Sequence, residues 1–101
     1  MLNEALRLIR AYHGLKKIEL SRRIGVSNSH ISEIEKGVKT PSLELINTYA
    51  REFNMPVSSI MFFAETVSTT KASEKVRFRI ARKALTILQF IDEKANVESR
   101  T

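Results

Sequence analysis

The chain has 101 residues, which is room for one compact domain and at most an appended helix. Its 17 Lys and Arg against 11 Asp and Glu leave a formal charge of +6, which suits an anionic partner such as nucleic acid or lipid headgroups. With no cysteine, one aspartate (Asp92) and two histidines (His13 and His30), no catalytic triad, thiolate site or metal cluster is expected, and neither an enzyme nor a cofactor protein.

Leu2, Leu6, Ile9 and His13 recur at helical spacing, with Glu4, Arg7 and Arg10 off that stripe and Gly14 as the expected C-cap. The same charges argue against a secretory signal. Residues 16–24 read as a short second helix with Leu20 and Ile24 inward, stopped by Gly25. Ser27 is a good N-cap for a third helix over 28–36, because its hydroxyl can accept from the first free backbone N–H groups. Gly37 closes that helix. Thr40 and Pro41 read as the N-cap and first position of a fourth, running to about Phe53 with Leu43, Ile46, Ala50 and Phe53 inward. After Asn54-Met55-Pro56, a fifth short helix carries Val57, Ile60, Met61 and Ala64. The longest apolar run, Ile60 to Ala64, is five residues and does not span a bilayer, so no membrane partner and a cytoplasmic location are expected.

The polar stretch 65–73 (ETVSTTKAS) reads as a linker after a domain at 1–64. Residues 74–97 then form a C-terminal amphipathic helix. Its apolar stripe, Val76, Ile80, Ala84, Ile87, Leu88, Ile91 and Ala95, must be covered by its own domain or by a second copy, and dimerisation is the expected role. The charge is concentrated in two places: six basic against three acidic residues over 16–39, and six basic against Glu74 alone over 71–83.

The stretch from Gly14 to Leu43, GLKKIELSRRIGVSNSHISEIEKGVKTPSL, resembles a helix-turn-helix of the phage-repressor (Cro/C1, or XRE) family. The matching residues are Gly14-Leu15, Leu20-Ser21, Ile24-Gly25-Val26-Ser27, Ile31-Ser32, Ile34-Glu35, Gly37 and Pro41-Ser42-Leu43. The resemblance covers roughly residues 4–63 and implies an all-α fold, a five-helix lambda-repressor-like DNA-binding domain, with the third helix in the major groove. It also implies an ion pair between Arg10 and Glu35 that holds the fold.

The residues themselves fit that implication. At about 100° per residue, Ile31 and Ile34 mark the inward side of the third helix. Ser29, Ser32, Glu33 and Lys36 point the opposite way, with Asn28 and His30 on the flanks. Asn28, Ser29, His30, Ser32 and Glu33 are therefore the expected base readers: asparagine can pair with adenine, glutamate can accept from cytosine, and serine can serve either role. Lys17, Lys36 and Lys39 are the expected phosphate contacts. Four residues depart from the family pattern: Lys16-Lys17 replaces a polar Ser-Gln pair, Asn28 stands where a glutamine is common, and Ser21 replaces an alanine.

The expected function is a homodimeric, sequence-specific regulator of transcription, acting as a repressor at a palindromic double-stranded operator. The alternative is an antitoxin that neutralises a toxin through its C-terminal part and also represses its own operon. A membrane-surface role for 71–83 is the weakest fit, since only Phe78 and Phe90 could anchor it.

Overall fold

Six helices and no strand make up the described residues of a computed structural model, which covers 2–100 with side chains described to Lys94. They are α1 (Leu2–Tyr12), α2 (Lys17–Ile24), α3 (Asn28–Glu35), α4 (Leu43–Glu52), α5 (Val57–Thr69) and α6 (Glu74–Arg100). Apolar side chains at helical spacing bring them together. Leu6 and Ile9 of α1, Leu20 of α2, Ile31 and Ile34 of α3, Tyr49 of α4 and Ile60 and Phe63 of α5 are all fully enclosed. α1 is central, touching α3, α5 and α6, while α2 packs on α3 and α4. Fully burying each Leu, Ile or Phe is worth about 1.5–3 kcal/mol, so this cluster is what holds the short helices in register.

The start of α4 and the end of α5 both differ from the expected ones. Thr40 and Pro41 stay outside the helix, and the cap falls to Ser42, whose Oγ accepts the Leu45 N–H at 3.1 Å. The register follows: Leu45 and Ile46 are buried, whereas Leu43, expected inside, is 67% exposed. The stretch expected to be a linker is helical for its first five residues, because α5 continues to Thr69. Val67 extends the buried row of Ile60, Phe63 and Ala64. The hydroxyls of Thr66 and Thr69 turn back onto the carbonyls of Phe62 and Glu65, so the polar composition does not interrupt the helix.

α6 folds back along α1 and α5. Ala81 and Leu85 are buried there, with Ala84 and Leu88 partly so. Arg77 reaches Glu4 at 2.7 Å, and the Tyr12 hydroxyl meets Thr86 at 3.0 Å. His13, just past α1, is bonded on both ring nitrogens, to the Ile9 carbonyl and the Gln89 amide, each at 2.8 Å. The stripe expected on this helix is thus divided. Ala84 and Leu88 face the domain, while Val76, Ile80, Ile87 and Ile91 face outward, the last two beside Phe62 of α5. Ala95, the last member of the expected stripe, lies outside the described side chains.

Candidate nucleic-acid interface

The turn between α2 and α3 is set by two residues. Gly25 has φ +69°, a left-handed conformation that a Cβ would strain, and its N–H closes α2 on the Ser21 carbonyl at 3.0 Å. Ser27 then caps α3, its Oγ accepting the His30 N–H at 3.1 Å. Ile31 and Ile34 drive the inner side of α3 into the core, which fixes its rotation.

Behind α3 lies an ion pair that also joins it to α1. The Arg10 guanidinium donates through Nε to Glu35 Oε2 at 2.7 Å and through Nη2 to Oε1 at 2.9 Å. Its Nη1 donates to the Leu15 carbonyl at 2.7 Å, so one side chain ties α1, the entry to α2 and α3 together. The bond to Glu35 raises the Arg10 pKa above its ordinary value despite burial. Tyr49 lies in the same region. Burial, and then the Glu35 charge, push its phenol well above the usual range, and its hydroxyl has no hydrogen-bond partner among the described residues.

On the opposite side of α3, Asn28 and Ser29 are exposed, and His30, Ser32 and Glu33 are partly exposed. The five expected base readers therefore share an outward surface free of large apolar groups. Lys36, the C-cap of α3, and Lys39 in the loop beyond it are exposed, and Lys17 opens α2 half-buried. The arrangement has one unanticipated link: Lys39 Nζ stands 3.4 Å from Glu33 Oε2, joining an expected phosphate contact to an expected base reader. Both side chains are solvated, so the pair is worth under about 1 kcal/mol and a phosphate can replace it.

Three further residues border this surface. Gly37 has φ +79°, and a Cβ there would come within 3.2 Å of the Asn3 amide, so the first turn of α1 abuts the loop between Lys36 and Lys39. Among the described residues Val38, in that loop, and Leu43, which opens α4 beyond it, are the two most exposed large apolar side chains. Exposed apolar residues beside lysines carry no periodic signal, which is why the sequence pattern passes over them. Among the described residues no group of acidic, histidine or cysteine side chains could hold a metal ion, and no helix is long and apolar enough to cross a membrane.

A model of the helix-turn-helix family matches residues 6–60. A helix-turn-helix-type transcriptional regulator of Methanocaldococcus jannaschii, itself uncharacterised, is 35% identical over 60 residues, which span 59% of this chain and 91% of that protein. The cryptic phage CTXphi transcriptional repressor RstR of Vibrio cholerae is 27% identical over 77 residues, 76% of this chain and 69% of its own. The antitoxin PezA of Streptococcus pneumoniae is 30% identical over 61 residues, 60% of this chain and 39% of its own. No solved structure matches the chain.

Proposed function

This chain belongs to the helix-turn-helix family, and on that premise we propose that it is a sequence-specific, double-stranded-DNA-binding repressor of transcription that works in the cytoplasm. The observation that carries the reading is α3. Its inner side is fixed by Ile31, Ile34 and the Arg10–Glu35 pair, and its outer side offers only hydrogen-bonding groups. A helix held this rigidly can enter the major groove as a preset pattern of donors and acceptors. Asn28, Ser29, His30, Ser32 and Glu33 read base edges. Lys17, Lys36 and Lys39 hold phosphates on either side and set the register.

Two copies bind a palindromic operator as a homodimer, with half-sites about one helical turn apart. They meet through the outward stripe of α6 and Phe62, where Ile87 is 60% and Phe62 62% exposed. A second copy is the occupant, because its own exposed row of Val76, Ile80, Ile87 and Ile91 can cover this one. Because α6 also covers part of the core, deleting it would confuse two effects. Ile87→Glu leaves the docked face intact and is expected to give a folded monomer with weaker operator binding, read by sedimentation and by binding to the same duplex.

Selection of bound fragments from genomic DNA, at a fixed salt concentration, tests the function itself. Recovery of one imperfect palindrome is expected; fragments with no common sequence would refute base reading by α3. The antitoxin reading is kept because PezA is among the relatives and the apolar stripe could seat a toxin. Under that reading Ile87→Glu would abolish toxin neutralisation while the protein remained a dimer.

A further inference from the structure

Besides its apolar stripe, α6 turns a basic side outward. Lys75, Arg79 and Arg82 follow each other at helical spacing, about a third of a turn from the stripe. With Arg7 and Phe78 they line a groove of about 650 Å³ between α6 and α1. Glu4, on the same groove, is occupied by Arg77 at 2.7 Å, which leaves Glu74 as the acid facing these cations. Among the described residues none of Arg7, Lys75, Arg79 and Arg82 is paired with a carboxylate.

This groove is continuous with the surface assigned to DNA. Asn3 and Arg7 are four residues apart on α1 and so share a side of that helix. The Asn3 amide abuts Gly37, between Lys36 and Lys39. A track of cations thus runs from the α3–α4 loop, past the first turn of α1, to the first half of α6. Pairing of two copies through the apolar stripe would leave it uncovered.

We propose that the α1/α6 groove binds the phosphate backbone of duplex DNA beyond the segment read by α3, adding affinity without reading sequence. The proposal rests on the DNA-binding function above. Arginine suits this work, because its planar fork matches two phosphate oxygens at once and keeps its charge at every working pH. Phe78, half-exposed between the arginines, can lie against the sugars. Apart from two acids, the groove offers cations and apolar side chains, which suit phosphates and sugars.

The test compares the full chain with the triple variant Lys75→Gln/Arg79→Gln/Arg82→Gln on mixed-sequence duplexes of about 12 and about 36 base pairs, one turn and three turns long. The readout is the slope of log affinity against log salt, which falls by about 0.9 for each phosphate that the protein no longer neutralises. The triple variant is expected to lose about two to three units of slope on the long duplex and almost none on the short one. The control Lys83→Gln/Lys94→Gln, which removes two charges beside the apolar stripe, is expected to keep the full chain's slope on both. Equal slopes for the triple variant and the full chain on the long duplex would overturn the proposal. So would an unchanged DNA slope together with weakened binding to vesicles of anionic lipid, which would assign the groove to a membrane surface. Failure of the unaltered chain to bind either duplex would instead refute the DNA-binding function on which the proposal rests.

Discussion

The Arg10–Glu35 and Arg77–Glu4 pairs each close at 2.7 Å, yet they belong to regions built in different ways. The first lies under α3, with side chains 14% and 2% exposed, and its arginine also grips the chain at Leu15. The second attaches α6, with both side chains 28% exposed. Distance does not rank them; access of water does, since a solvated pair is screened and an enclosed one is not. The apolar layers beneath them differ in the same sense. α3 is seated by Ile31 and Ile34 deep in the core, whereas α6 is seated mainly by Ala81 and Leu85. A reader of bases needs a fixed rotation, and α3 has one. α6 is a thinner layer laid on a finished domain, with its remaining apolar and basic surface available to partners.

This contrast sets an order of effects. Glu35→Ala leaves the Arg10 charge largely enclosed without its partner and is expected to destabilise the protein by about 3 kcal/mol, measured by urea unfolding. A loss below about 1 kcal/mol would place this pair with solvated ones. Leu85→Ala should cost about 2–3 kcal/mol, and the loss should be local. Hydrogen exchange is expected to quicken through α6 while the α3 amides keep their protection. Equal loss in both helices would erase the distinction between the regions. Arg77→Ala should change the unfolding free energy by about 1 kcal/mol or less, visible as a small shift in thermal midpoint.

The smallest effect at neutral pH is expected from Tyr49→Phe, because the hydroxyl it removes is enclosed and unpartnered. Its signature is alkaline. Burial favours the neutral phenol in the folded state, so the folded pKa lies above the ordinary 10.0. That contribution to stability is intact below pH 10.0 and is lost as pH rises through and above it, when only the unfolded chain ionises at this residue. Tyr49→Phe should flatten the alkaline fall in thermal midpoint; an unchanged fall would assign it to other groups.

The sequence makes the helix-turn-helix legible because its signals are local. Gly25 at positive φ, the Ser27 cap and the spacing of Ile31 and Ile34 each act within one turn of chain. The end of α5 was not legible by composition. Threonines read as linker residues, yet their hydroxyls bond back to the helix, and only the 60, 63, 64, 67 spacing betrays the continuation. At α4 two hydroxyl residues could serve as the cap, and Ser42 takes it in the register that buries Leu45, Ile46 and Tyr49. On α6 the amphipathic pattern was clear, but a single stripe cannot announce that one edge packs on α1 and α5 while the other stays outside. That division depends on the width of the surface offered by the domain, which is a tertiary property. The expected base readers lie on one outward surface because helical geometry alone places them there. The Glu33–Lys39 contact and the approach of Asn3 to Gly37 required the folded chain.

The central claim is that α3 reads bases while the lysines around it hold the backbone, and paired affinities for Asn28→Ala and Lys17→Ala test it most directly. Each variant is measured on the selected operator and on a random duplex at several salt concentrations. Asn28→Ala is expected to lose about 1–3 kcal/mol on the operator and almost nothing on random DNA. Lys17→Ala is expected to weaken both alike and to lower the salt slope by about one unit. Equal losses on operator and random DNA for Asn28→Ala would contradict the role assigned to α3.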